Sequence, residues 1–219
     1  MNEQKKAWEI EYREHKGFPT SIGRRPSNQV KYFLKFLKLK NITKGKILDI
    51  GCGFGRNSIF LAKKRYEVWA FDFVGQVLKF MQKKTNELGL GSKINISNQD
   101  ASNKWKFKND FFDAAIDITA FDSIEDKDHY VSELYRVLKT KGYFCIYAIL
   151  PEHEYLKKRN NLNAKDKIKY FVLELDKLIK MFSSKFDILE KKRFNDKEEL
   201  IHGEPFRREL ARIIMQRKD

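Results

Sequence analysis

Asp49 stands two residues ahead of the first glycine in Ile47-Leu48-Asp49-Ile50-Gly51-Cys52-Gly53-Phe54-Gly55. Apolar residues run into that turn, and a helix-like segment follows it. Glycines at such a junction let the backbone bend sharply and come close to a ligand. A dinucleotide fold would set pyrophosphate against the same turn and the helix that opens there. A carboxylate beside it would repel phosphate and suits a ligand presenting an ammonium or sulfonium. The spacing is GxGxG, without the third glycine of GxGxxG; Asn57 or Ser58 stands where helix–strand packing would want it. No GK[ST] follows, which excludes a P-loop. Asp72 ends the next apolar run, 21 positions after Gly51, where an acid can accept both hydroxyls of a ribose. Asp100-Ala101 follows a third run, and there a carboxylate can accept from an adenine amino group while the next N–H donates to the ring.

The elements that position these residues alternate. Short apolar runs at 46–50, 67–71, 93–97, 112–118 and 142–149 read as strands. Segments 57–64, 75–88 and 126–138 carry apolar positions at helical spacing. Continuous apolar strands separated by amphipathic helices imply a parallel sheet covered on both faces, and right-handed crossovers make it an α/β, Rossmann-like, doubly wound sheet. Ahead of it, residues 3–15 and 28–39 read as helices, separated by a loop around Gly17–Gly23. Residues 167–182 read as a helix. Residues 186–194 and 210–216 read as strands flanking a polar stretch with His202-Gly203-Glu204-Pro205. With no helix between them, those two strands pair antiparallel, giving a C-terminal hairpin on a mostly parallel sheet. The expected division is a helical lid segment at 1–44 and one domain at 45–219.

Asp49–Gly55, Asp72, Asp100 and the turn Leu138-Lys139-Thr140-Lys141-Gly142, in that order, resemble the motifs of class I S-adenosylmethionine (SAM)-dependent methyltransferases. Within that superfamily the chain is most similar to the small-molecule, quinone-biosynthesis-like group. The resemblance covers roughly residues 26–150, and the terminal hairpin agrees with it. It implies a seven-stranded sheet whose last strand is antiparallel, SAM as cofactor and S-adenosylhomocysteine as product. It also implies that Asp49, Gly51, Cys52, Gly53 and Gly55 hold the methionine end. Asp72 would take the ribose, Phe73 and Val74 would line the adenine, and Asp100 with Ala101 would read its edge. Asp117 and Ile118 would face the reacting methyl. The turn departs from the family's common Leu-Lys-Pro-Gly-Gly, a change confined to a surface turn.

Methyl transfer from a sulfonium needs orientation and a dry site, and a base only where the acceptor must lose a proton. Candidates near the reacting methyl are Asp117, Tyr12 and His153, the last two from the segments before and after the sheet's core. His15 is a further candidate base; Arg24 and Arg25 lie near the mouth, and Phe18, Phe121 and Tyr155 are candidates for an apolar acceptor pocket. Trp8 and Tyr12, four residues apart, more often read as simple packing. His129 reads as a solvated helix residue and His202 as structural.

The chain of 219 residues carries 45 basic and 30 acidic side chains, a net charge of +15. The excess is +7 over residues 1–44 and +5 over 151–219, against +3 between them. Lysines mixed with acids are the pattern of solvated faces, so a small-molecule acceptor is favoured over RNA or tRNA. The fourth strand ends Asp117-Ile118-Thr119-Ala120, without the Asn/Asp-Pro-Pro-aromatic motif of amino-methylating nucleic-acid enzymes. A SAM-binding regulator without turnover is the remaining reading. Cys52 and Cys145 have no metal-site spacing, and no metal is expected. No apolar run spans a membrane, and a reducing, cytoplasmic setting with a monomer or homodimer is expected.

Overall fold

The computed structural model describes residues 3–14, 25–152, 168–201 and 204–219. Seven strands form one sheet in the order β3-β2-β1-β4-β5-β7-β6. They are β1 (Lys46–Ile50), β2 (Glu67–Asp72), β3 (Ile94–Asn98), β4 (Phe112–Ile118), β5 (Leu138–Ile149), β6 (Phe186–Ile201) and β7 (Glu204–Arg217). The first five pair in parallel; β7 runs antiparallel to both β5 and β6. The doubly wound, mostly parallel sheet and its antiparallel hairpin are therefore as the sequence implies.

The side-chain period of two divides each strand between two cores. Ile47, Val68, Ala114 and Cys145 face one side, against helices α2 (Asn28–Leu39), α3 (Arg56–Lys63) and α4 (Gly75–Glu87). Leu48, Phe71, Ala115 and Phe144 face the other, against α5 (Lys127–Val137) and α6 (Leu175–Ser183). Ser27 opens α2 by accepting from Gln29 N at 3.2 Å, and Asp126 opens α5 by accepting from His129 N at 2.9 Å. Each satisfies a donor that the first helical turn leaves orphaned. Helix α1 (Glu3–Glu14) lies over the C-terminal edge of the sheet, burying Ala7 and Tyr12.

Three boundaries differ from the sequence reading. The helix expected at 167–182 begins at Leu175. Residues 168–174 are irregular because their backbone is committed elsewhere: Phe171 N donates to Asp122 O at 2.7 Å and Lys169 N to Gln4 Oε1 at 2.9 Å. The hairpin strands run on to Ile201 and back from Glu204, through the stretch expected as a loop. Ladder hydrogen bonds use backbone only, so polar residues extend a ribbon that hydrophobic pattern cannot reveal. Turn 138–142 is built into β5 as an irregularity, with Phe112 opposite Leu138 and Ala114 opposite Tyr143, and Lys141 at φ 62°. Gly17–Gly23 and His202–Gly203 lie outside the described residues.

Candidate functional site

Beyond the C-terminal ends of β1, β2 and β4 opens a cleft, at the point where the strand order reverses. Its floor is the glycine turn. Gly51, Gly53 and Gly55 take φ of 63°, 52° and 76°, the left-handed region that costs other residues most. Each has a different neighbour. A Cβ on Gly51 would fall 2.3 Å from Ala120 Cβ, and one on Gly53 would fall 3.2 Å from the Tyr12 hydroxyl. One on Gly55 would fall 2.5 Å from Met81. Gly51 and Gly53 line the cleft; Gly55 instead lets α3 pack down onto α4.

Asp49 and Asp72 reach the cleft from beneath, 2% and 3% exposed. Ser58 Oγ donates to Asp49 Oδ2. Asp72 accepts from Gly53 N at 3.0 Å and from Val74 N at 2.9 Å, which ties the tip of β2 to the glycine turn. Asp100 lies at the outer wall and accepts from Ser102 N at 2.9 Å. Burial pushes Asp49 up to about 7, helped by the charge of Asp117 and opposed by the Ser58 hydroxyl. Burial also pushes Asp72 up to about 6, against the backbone donors that favour its charged form. Among the described residues the cationic side chain on the cleft wall is Arg56. Three carboxylates to one guanidinium suit a ligand that carries positive charge.

Residues 47–142 match a methyltransferase-domain family. The chain is 30% identical over 111 residues to YqeM of Bacillus subtilis (strain 168), a protein named provisionally as a methyltransferase. The alignment covers 49% of this chain, and the chain spans 44% of that relative's length. The fold is similar to that of a SAM-dependent methyltransferase of Methanosarcina mazei, with a TM-score of 0.66 at 20% identity over 83% of this chain and 97% of the other. It is also similar to the MccD protein, with a TM-score of 0.71 at 15% identity over 89% of this chain and 100% of the other.

Cys52, Phe73, Ala101 and Ile118 also line the cleft, together with Asp49, Gly51, Gly53, Asp72 and Asp100. Val74 is instead fully buried in the core beneath. Asp117 is also set back from the cleft. It is fully buried, and its carboxylate accepts from Ala120 N at 2.8 Å, Phe121 N at 3.2 Å and the Tyr130 hydroxyl at 2.8 Å. Burial raises it to about 6. Its place is behind the wall, holding the backbone that lines it. Phe121 packs into the core against Tyr130 and Phe182 and does not reach the cleft. Tyr12 does reach it, packed between Trp8 and Phe54 with ring centroids at 5.4 Å from each. Burial and the Asp72 charge push its hydroxyl well above its ordinary range, so Tyr12 is a neutral donor there. His15, Phe18, Arg24, His153, Tyr155 and His202 lie outside the described residues.

Sequence reasoning assigns no role to several cleft residues on α1 and beyond β4, among them Gln4, Thr119, Ser123 and Ile124. Gln4 shares an amide-to-backbone pair with Lys169 (Nε2 to O, 2.8 Å, and N to Oε1, 2.9 Å) and donates to Ser123 O at 3.3 Å. That fastens α1 to two distant segments. Nothing in its own neighbourhood marks a glutamine for this, since both partners are more than a hundred positions away. Among the described residues, no three His, Cys, Asp or Glu side chains group to hold a metal ion, and no helix is long and apolar enough to cross a membrane.

Proposed function

We propose that the protein transfers the methyl group of SAM to a small-molecule acceptor, releasing S-adenosylhomocysteine. The observation that carries this reading is the buried pair Asp49 and Asp72 at the floor of a cleft whose wall adds Asp100 and, among the described residues, one arginine, Arg56. SAM carries a sulfonium and an ammonium, which two desolvated carboxylates attract far more strongly than water-exposed ones would. Gly51 and Gly53 present a floor without side chains for its methionine end. Asp72 takes the ribose hydroxyls, and Asp100 with the Ala101 N–H reads the adenine edge. Arg56 is placed to meet the methionine carboxylate.

SAM supplies the reactive methyl; the chain orients it and keeps water out. Helix α1, with Gln4, Trp8 and Tyr12 over the cleft, acts as the lid. Tyr12 donates toward the methionine end. Where the acceptor must lose a proton, His153 is the candidate base. The acceptor is small, as in the quinone-biosynthesis-like group that the sequence resembles. An RNA acceptor is less well supported, because part of the basic C-terminal flank is spent inside the fold. Arg212 lies 3.5 Å over the Tyr32 ring and donates to Gln29 at 2.9 Å, and Arg217 donates to Asp110 and Leu138 O.

The test is calorimetric titration with SAM, S-adenosylhomocysteine and NAD, followed by incubation of labelled SAM with a metabolite extract. Binding of the first two but not NAD, with label appearing in small molecules, is the expected result. Binding without any transfer would leave the regulator reading in its place, and label in RNA alone would replace the acceptor class.

A further inference from the structure

Five non-glycine residues among those described take left-handed backbone, and Thr119, at φ 71°, is the β-branched one. Asn41, Arg65, Asp110 and Lys141 lie at the opposite edge of the sheet, where strands begin. Thr119 lies at the C-terminal end of β4 and lines the cleft. A β-branched residue in this region is strained, and such strain persists only where the surroundings impose it.

Here they impose it from both sides. Thr119 N donates to Tyr147 O at 2.9 Å. The next two amides, of Ala120 and Phe121, are held by the buried Asp117 carboxylate. Past the single 3-10 turn Phe121–Ser123, Lys127 Nζ donates to Phe121 O at 2.8 Å and to Ile124 O at 2.9 Å, with its ammonium 3.9 Å from the Phe121 ring centroid. The short turn is thus closed by a buried anion at its amide end and a buried cation at its carbonyl end, and Thr119 is fixed at its entrance.

The consequence lies in the hydroxyl. Thr119 Oγ1 donates to Ile118 O at 2.6 Å, so its one proton is used within the chain. What Oγ1 offers a neighbour is lone pairs. The lining of the same cleft includes the apolar side chains of Ala120, Ile124 and Trp8. We propose that Thr119 orients the methyl acceptor, its Oγ1 accepting a hydrogen bond from a protic nitrogen or oxygen carried on an apolar body. This rests on the methyl-transfer reading above and narrows its substrate class to amines and hydroxyl compounds. The lone pair of that nitrogen or oxygen forms the new bond to the methyl carbon. The carbon–sulfur bond breaks with its electron pair left on sulfur, and the acceptor's proton is lost to water.

The experiment titrates the S-adenosylhomocysteine complex with aniline and phenol, and with N,N-dimethylaniline and anisole, by ligand-observed NMR. Wild type, Thr119→Ser, Thr119→Val and Thr119→Gly are compared. The expected result is that an N–H or O–H fragment binds wild type and Thr119→Ser and weakens about tenfold in Thr119→Val and Thr119→Gly. The fully methylated fragments bind no variant better than they bind wild type. S-adenosylhomocysteine affinity stays within about threefold throughout, since its ribose and adenine are assigned above to Asp72 and Asp100, at the ends of other strands. Thr119→Gly relaxes the backbone, so it keeps the test valid should Thr119→Val fail to fold, and it melts higher than wild type. Equal fragment binding by wild type and the two variants lacking the hydroxyl, no preference for protic fragments, or no fragment binding at all would overturn the proposal. Labelled SAM added to the same fragments and to a metabolite extract reads the activity separately. A protic preference that depends on Thr119, without any methyl transfer by wild type, would count against the methyltransferase reading and leave the orienting role standing.

Discussion

Gly51 and Ala120 approach each other so closely that a Cβ added to Gly51 would stand 2.3 Å from Ala120 Cβ. Two separate stretches, the glycine turn after β1 and the loop after β4, meet there and form the corner of the cleft. Gly51→Ala therefore meets both a steric overlap and a positive φ of 63°. The expected outcome is a loss of about 2–4 kcal/mol of stability, from overpacking together with left-handed backbone. SAM affinity should fall beyond detection in calorimetry. Urea unfolding with a parallel SAM titration checks it, and wild-type affinity in the variant would show that the corner opens without cost.

Asp72→Asn separates charge from shape. The amide keeps the size of the side chain, and its oxygen can still accept from either Gly53 N or Val74 N, but its NH2 cannot accept at all. Loss of a charged acceptor for the ribose costs about 1.5–3 kcal/mol, or roughly ten- to a hundredfold in SAM affinity. Adenine alone, lacking a ribose, should bind both forms equally weakly. A uniform loss for adenine and SAM would point to a collapsed cleft instead.

The pH dependence follows from Asp49 at about 7 and Asp72 at about 6, both raised from 3.8. Between roughly pH 4 and 7 the folded chain holds protons there that the unfolded chain has released. Their contribution to stability therefore falls as pH rises through that window. A cationic ligand favours the ionised carboxylates, so SAM affinity rises from pH 5.5 to about 7.5 and then levels. Calorimetry in two buffers of different ionisation enthalpy should count protons released on binding at pH 6 and none at pH 8. Asp49→Asn should flatten the upper part of this rise; an unchanged profile would place the titrating group elsewhere.

Lys127→Met removes the ammonium that serves Phe121 O and Ile124 O while keeping the length of the stem. Lys127 is 6% exposed, and burial brings it down to about 8 in spite of the nearby Asp122 and Asp117 charges. Ile124 O is then left without that donor while Phe121 O keeps the Ile124 amide at 3.1 Å, and one buried unsatisfied carbonyl costs about 1–3 kcal/mol. Chemical denaturation should show that loss. Hydrogen exchange should quicken over residues 119–124 while the glycine turn stays protected.

Association with RNA should be weak and nearly insensitive to salt. A protein neutralising many phosphates loses affinity steeply as salt rises, with a slope of about −0.7 per phosphate on single strands. Arg212 and Arg217 are 6% and 9% exposed, and Arg193 pairs with Glu152 and Glu209, which removes them from such a count. Filter binding to a tRNA pool between about 50 and 200 mM salt measures it; a slope steeper than about −3 would revive the RNA reading.

The glycine turn and the acids at the strand ends were legible because each is a local signal. A left-handed bend needs glycine, and an apolar run that stops at an acid marks a strand end whatever lies beside it. Asp117 shows the limit of that method. Its position at the end of β4 matches a ligand contact, yet its carboxylate turns back to Ala120, Phe121 and Tyr130. Which way a strand-end acid points depends on where unpaired amides lie nearby, and those belong to the following turn. Gly55 is similar: its glycine was expected for the ligand and serves Met81.

The sequence by itself determined the parallel core and the placing of a glycine turn and three acids at one edge of the sheet. Hydrophobic period and glycine conformation are written residue by residue. Tertiary structure alone decided what closes the cleft. Gln4 fastens α1 to Lys169 and Ser123, residues 168–174 stay irregular to make that bond, and the loop around Thr119 is strained by buried charges on either side. These are pairings between side chains and backbone groups far apart in the chain. Their energies exist only once the sheet has brought the partners together.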